Sequence, residues 1–474
     1  MMTLNLAMRN LLRNRRRSLA TLLALAIGAT SVLLFGGYSA DIRYTLMTDY
    51  VQTGGHLRIQ HKDFYLFGSG NPTAYGIAGY EKLAKAIRED AQIRSEVRVV
   101  SPTLLFGGLA GNYEAGVSRP VVGFGYVSGD IARMREWNEY KLGEIWGPYP
   151  LLNAPDDAAI VGVGVARVLQ LCEKLALKNC PRPTAAAAKP GAKAEALPAD
   201  IAALAAGEPA ATDEKSAKTA GGGKAGVPIE LLATQPRGSP NVASLKVVAA
   251  EDQGFKEFDE VTVKLQLAQA QRLVYGKSEP KATSLMIQLE HSDSMDRVRA
   301  RIKAILDQQR PGHDLTVMDF KELNPFYGET IALFNTIFGF IFVLIGGIVL
   351  FTVSNTMMAA VMERTTEIGT VRAVGLRQSG IRRLFVTEGF LLGCVGAVIG
   401  VLSAVLLATL VNSLRLTWLP PGSSTPLPLS VRVLSEYGMM IGTAIGLIII
   451  ATGSAWLPAW RAARLSIVEA LRHA

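Results

Sequence analysis

Three cysteines in 474 residues are too few for a disulfide framework. Cys394 falls inside an apolar run and reads as a small buried side chain. Cys172 and Cys180 stand close together and read as a local disulfide outside the cytoplasm, the alternatives being two free thiols or half of a metal site. Histidine is scarce too. His56, His61, His291, His313 and His473 are scattered without metal-ligand spacing, and His56 and His61 read as surface residues. The Gly-Gly-Gly-Lys run ending at Lys224 is followed by Ala225 and has no second glycine at the required distance before it, so it is not a phosphate-cradling loop. No G-x-S-x-G elbow and no catalytic carboxylate pair can be singled out. The apolar runs carry almost no charge, which argues against the proton relays and ion sites of secondary transporters. An enzyme, a metal protein and an ion-coupled carrier are therefore all disfavoured, and the chain offers no cofactor site.

Apolar surface, by contrast, is abundant: 49% of residues are hydrophobic and mean hydropathy is +0.24, which points to membrane segments. Leu19–Tyr38 is uncharged and long enough for the roughly 30 Å hydrocarbon core. Further runs cover Ile331–Met358, Phe390–Leu410 and Tyr437–Leu457. Much of the net charge of +9 sits beside these runs, in Arg9, Arg13, Arg15, Arg16 and Arg17 before the first and Arg461 and Arg464 after the last. Arginine so placed fixes topology and meets anionic lipid, not nucleic acid, and it puts both chain ends in the cytoplasm. A signal peptide is the competing reading of the basic start, but the first run is longer than a signal core and three more follow.

Residues 1–17 place Leu4, Met8, Leu11 and Leu12 on one helical face and Arg9, Arg13 and Arg16 on the other, the pattern of a helix lying in the interface. Residues 40–325 contain no run apolar enough to cross and read as a mixed α/β region on the far side. Strands are expected at Leu57–Gln60, Val97–Leu105, Pro120–Phe124, Ser284–Leu289 and Leu315–Met318, and helices at Tyr80–Arg88 and from a Ser292 cap through Gln308. Helices between strands indicate βαβ-like units in two layers. Pro181–Val227 is rich in Ala, Lys, Gly and Pro, lacks aromatics, and reads as a flexible loop. Gly339, Gly346 and Gly347 in the second run, and Gly393, Gly396 and Gly400 in the third, offer small-residue faces for close helix packing.

Between the second and third runs lies Met362–Glu388, MERTTEIGTVRAVGLRQSGIRRLFVTE, with an arginine excess that places it in the cytoplasm. Ile368, Val371, Val374 and Leu376 recur at roughly helical spacing, so it reads as a short amphipathic helix with a surface free for a partner. The pattern E-R-x-x-E-I-G-x-x-R-A-x-G closely resembles the permease subunits of the MacB/FtsX-type ABC transporter superfamily. The ending PAWRAARLSIVEALRHA is similar to that family's ending, although Ser466-Ile467 stands where a proline is usual.

The resemblance implies a membrane α-helical fold with four transmembrane helices and a large α/β periplasmic domain inserted between the first and second. The corresponding map is a cytoplasmic amphipathic helix at 1–18, spans at 19–39, 385–412 and 436–458, and a stalk with span at 328–362. The periplasmic domain covers 40–327 with its insert at 181–227, a coupling segment covers 363–384, a short periplasmic loop 413–435 and a cytoplasmic tail 459–474. It further implies that Glu363, Arg364, Glu367, Ile368, Gly369, Arg372, Ala373 and Gly375 dock into an ABC ATPase present in two copies, which carries the ATP and Mg that this chain does not bind. A second permease copy, identical or related, is implied as well. The expected function is mechanotransmission that drives export or extraction of a lipoprotein, lipid or amphiphile from the inner membrane or periplasm. Alternatives are a regulator of a cell-wall hydrolase, an efflux permease working with an adaptor and outer-membrane channel, and a membrane-anchored sensor.

Overall fold

The computed structural model describes residues 2–13, 15–143, 146–177, 180, 226–235, 239–309, 314–418 and 427–466. The expected flexible loop therefore lies outside the described residues as far as Ala225, as do Pro420, Pro421, Pro426 and the chain from Ile467 onward. Helix α1 covers Met2–Arg13 and α2 Arg15–Gly54. After the central domain come α7 Pro325–Glu363, α8 Thr365–Ala373, α9 Gln378–Ser413 and α10 Tyr437–Arg464. Helices α2, α7, α9 and α10 are each long and apolar enough to cross a membrane.

In lipid no hydrophobic force draws helices together, so close backbone approach has to hold them. Gly393 of α9 lies where a Cβ would come within 3.1 Å of Ala451 on α10, and one at Gly400 would collide with Ala29 of α2. The same small-residue face of α9 thus meets α10 along one stretch and α2 along the next. Leu25, Val349, Val353, Met357, Leu392, Leu447 and Ala451 fill the space between the four helices. On α7 the glycines behave differently: Gly346 meets Ile450, but a Cβ at Gly339 or Gly347 would meet nothing. Gly347 is turned about 100° from Gly346 around the helix, which takes it off the packed face.

Both α2 and α7 extend beyond their apolar runs as stalks. Aromatic pairs join them along their length: Phe35 with Phe338 at 6.4 Å, Tyr38 with Phe334 at 6.2 Å and Tyr50 with Tyr327 at 6.2 Å between ring centroids. Pro325 begins α7, where its fixed φ and missing N–H cost nothing.

Between the stalks are β1 Leu57–His61, α3 Tyr80–Glu89, β2 Val97–Asn112, β3 Val117–Tyr126, α4 Ser128–Arg135 and β4 Ala158–Gly162. Then follow β5 Val227–Thr234, β6 Pro240–Glu251, β7 Thr262–Gln266, α5 Leu267–Tyr275, β8 Ser284–Leu289, α6 Met295–Gln309 and β9 Leu315–Asp319. Among the described residues these strands form one nine-stranded sheet, in the order β9-β1-β8-β2-β3-β7-β4-β6-β5, and β5 returns to pair with β2. The first four make a split β-α-β lobe in which β8 separates β1 from β2, and α3 and α6 cover one face with Leu83, Ile87, Val298 and Ile302. The other strands close into a six-membered ring with β2, filled by Phe106, Val161, Leu231, Leu245, Val263 and Leu265. Neighbouring pairs are mostly antiparallel, and only β3/β7 and β4/β6 are parallel, so the βαβ-like units expected from the sequence occur in split form within a mixed sheet.

Two expectations need correction. His56 is a core residue: it is fully buried, its Nδ1 accepts from Leu289 N–H at 3.1 Å, and its ring stands edge-on to Trp137. Burial pushes its pKa down to about 3. Ser292 does not cap the helix through Gln308, since its hydroxyl donates to Glu139 at 2.6 Å and α6 begins at Met295. Cys172 and Cys180 are joined in a disulfide with Cα atoms 5.8 Å apart.

Two measurements test this architecture. Gly400→Leu should destabilise the bundle by about 1–3 kcal/mol through overpacking against α2, whereas Gly339→Leu should leave thermal unfolding in detergent unchanged. Equal shifts would contradict the packing. Peptide mapping of unreduced protein should recover Cys172 linked to Cys180, and Cys172→Ser should lower stability by about 2–3 kcal/mol, as expected for so short a loop.

Candidate coupling site at the arginine-rich end of the bundle

Helix α8 is set off from α7 by a break at Arg364 and from α9 by a turn at Gly375, whose φ of +106° only glycine adopts without strain. Its position is fixed by side chains that leave it. Arg364 and Glu388 pair at 3.4 Å with side chains 7% and 3% exposed. Asn10 of α1 donates through Nδ2 to the same Glu388 oxygen at 2.7 Å, and Arg364 donates to the Asn10 carbonyl at 3.2 Å. One buried knot therefore joins α1, the α7–α8 break and α9. Arg372 adds a hydrogen bond to the carbonyl of Leu465 beyond α10. Arg13 reaches Glu367 at 2.6 Å, but both side chains are more than half exposed, so this pair contributes at most about 1 kcal/mol.

The residues expected to face a partner divide into two groups. Glu363, Glu367, Ala373 and Gly375 are exposed and Arg372 is half-buried. Arg364, Ile368 and Gly369 point inward, with Ile368 packed in the bundle core, so they build the platform and do not form its outer surface. The outer surface is apolar: Met362, Val371, Val374 and Leu376 are exposed, Val374 to 86%. Glu388 closes the segment that the sequence marks out, but its pairing with Asn10 is not legible there, since nothing in the local pattern joins positions 378 residues apart.

At the far end of the α2 stalk a second polar cluster ties the helix to the ring lobe. Trp146 donates through Nε1 to Asp49 at 2.8 Å, and Arg135 stacks on Trp146 and Tyr149 while donating to both Glu251 oxygens at 3.0 Å. Lys264 lies 3.3 Å from the same carboxylate. Burial depresses the Lys264 pKa and the Glu251 charge opposes that shift.

Residues 336–467 match the family model described as FtsX-like permease C-terminal. This stretch resembles the C-terminal domain of FtsX-like permeases. The match takes in the coupling segment, α9, α10 and the part of α7 from residue 336. The chain is 27% identical over 202 residues to a macrolide export ATP-binding/permease protein MacB of Nitrobacter winogradskyi, covering 42% of this chain and 28% of that protein. It is 23% identical over 204 residues to an uncharacterised ABC transporter permease of Methanocaldococcus jannaschii, covering 41% and 47%. It thus spans less than half of the curated relatives it matches. The periplasmic region of MacB from Actinobacillus actinomycetemcomitans aligns at a TM-score of 0.32 and 7% identity, covering 59% of this chain and 95% of that one. The extracellular domain of the transporter YknZ aligns at 0.29 and 10%, covering 56% and 99%.

The buried knot gives a direct prediction. Arg364→Ala strands Glu388 and should cost on the order of 3–5 kcal/mol, whereas Arg13→Ala should cost less than about 1 kcal/mol. Thermal unfolding of the two variants in detergent separates them, and a neutral Arg364→Ala would show that the pair is solvated.

Proposed function

We propose that this chain is the permease of an ATP-driven machine whose ATPase lies outside these 474 residues and docks on α8, with the two-lobed domain on the opposite side of the membrane. The carrying observation is the exposed apolar knob of Val371, Val374 and Leu376, flanked by Glu363 and Glu367 and mounted on the buried Arg364–Glu388–Asn10 knot. An apolar surface on an otherwise arginine-rich face is suited to burial in a groove of a partner, and its rigid mounting would pass displacement into α1, α7 and α9. The arginines around it support a cytoplasmic position for this end, and hence an extracytoplasmic one for the lobes.

Movement of α8 would reach the lobes through the α2 and α7 stalks, so that the machine works on cargo by force and has no need of a channel through the bundle. Polar groups inside the bundle support this reading. Thr21 bonds Thr356 at 3.0 Å and Thr30 bonds Ser403 at 2.6 Å, so these hydroxyls are spent between helices. Lipoprotein, lipid or amphiphile extraction fits two large lobes on paired stalks, and a second permease copy would present the opposing pair.

Val374→Asp places a charge in the docking knob without touching the knot. Co-purification with the cognate ABC ATPase should weaken by at least tenfold, since burying one such side chain contributes about 1.5–3 kcal/mol, while membrane insertion and thermal stability stay unchanged. Undiminished ATPase binding would remove α8 as the docking element.

A further inference from the structure

Where the far end of α9 meets the domain, a cavity of about 190 Å3 opens between three parts of the chain. Val405, Ala408 and Thr409 of α9 form its apolar wall, Val431–Ser435 of the loop before α10 its rim, and Lys141 of the domain its cover. That volume is below the roughly 300–1,000 Å3 of sites that enclose a drug-sized molecule, and suits a headgroup better than a solute in transit. Two of the residues that line it, Lys141 and Arg432, are cationic, and none is acidic. Lys141 is exposed, has no ion pair among the described residues, and is held in a left-handed backbone with φ of 51°. Asn138 braces it by accepting from Leu142 N–H and donating to the Leu142 carbonyl, each at 2.8 Å. Non-glycine residues in that conformation cost free energy and recur at functional sites.

The second cation is Arg432. Its Nη2 donates to the Tyr140 carbonyl at 2.7 Å and its guanidinium lies 5.4 Å from the centre of the Tyr44 ring, but its buried Nε has no partner. Glu436, four residues on, faces Arg43 at 4.0 Å, and neither it nor Asp41, the buried carboxylate whose charge acts on Arg432, lines the cavity. Asn412 is occupied by the backbone of Val431, so the donors left for a ligand are Lys141 Nζ, Arg432 Nε and the Ser435 hydroxyl. Below the cavity, exposed Val398, Leu402 and Leu406 continue the apolar wall along α9 towards the middle of the bilayer.

We propose that this cavity binds the phosphate of an anionic phospholipid from the leaflet on the domain side, with the phosphate between Lys141 and Arg432 and an acyl chain along α9. Paired cations with an unused donor suit a phosphate oxygen, and the adjoining lipid-facing stripe distinguishes a lipid from a free phosphate ion. The occupant would cement Lys141 of the domain to the α9–α10 loop, so the lobes would sit more rigidly on the bundle in membranes rich in acidic lipid.

The test uses the full chain in non-ionic detergent, incubated with an equal mixture of phosphatidylglycerol and phosphatidylcholine and read by native mass spectrometry. Phosphatidylglycerol should be retained selectively, with Lys141→Arg keeping it and Lys141→Ala reducing it at least about tenfold, the loss of one charge-assisted hydrogen bond. Lys62→Ala, which removes an exposed lysine paired with Asp314, should change nothing. Equal retention of both lipids, or full retention by Lys141→Ala, overturns the proposal. Displacement of the lipid by millimolar inorganic phosphate also overturns it, by assigning the cavity to free phosphate. No ATPase enters the experiment, so its failure leaves the proposed docking on α8 untouched.

Discussion

A buried ion pair costs desolvation at both partners, and Arg364 with Glu388 recovers it only because Asn10 supplies a hydrogen bond to the carboxylate and a carbonyl to the guanidinium. That requirement holds α1, the α7–α8 break and the start of α9 in one arrangement. Without the knot, α8 would be a nine-residue helix attached by a break at one end and a glycine turn at the other, too short to persist by itself. Only Ile368 in the bundle core and the Arg372 bond to Leu465 would then hold the exposed knob. On the proposed docking, the buried part of the segment is what would hold the exposed part in place.

The same logic carries along the molecule. Glycine and alanine let α9 press against α10 and α2, so a displacement at one end of the bundle cannot be absorbed by loose side chains. The aromatic pairs between the stalks, and the Trp146 bond to Asp49, continue that stiffness into the domain. Strand β2 belongs to both lobes, pairing with β8 near its start and with β5 near its end, at about 50 Å from end to end. It makes the lobes one lever, although each has its own core.

What the sequence disclosed followed from periodicity. The four apolar runs, the amphipathic helices α3 and α6, and strands β1 and β9 repeat or alternate, while β2 and β8 were legible as apolar runs although β8 is buried at every position. Strands β4 and β7 do not, because Ala158–Gly162 is buried on both faces and Thr262–Gln266 nearly so, and such strands have no alternation to read. Strand β5 begins at Val227, where the low-complexity stretch ends, and its composition was masked by its neighbour. At the coupling segment the residue types were legible, but not which way each one points. Arg364 looks like a surface cation until Glu388 is seen beside it, and His56 looks like one until Leu289 and Trp137 enclose it. Both depend on partners far away in the chain, which no local pattern encodes.

The placement of charge in the two halves separates the tasks they perform. In the bundle, the buried ion pair lies at the arginine-rich end, where water is near and the cost of burial is smallest. In the domain, Arg135, Lys264 and Glu251 are enclosed under Trp146. Between them the described helices pack through glycine, alanine and hydroxyl groups bonded to each other or to their own backbone. A segment built this way offers little to a hydrated solute and resists bending. On the proposed function that is what a transmission element needs, because any polar cavity along the path would be a place where the helices could yield instead of moving together.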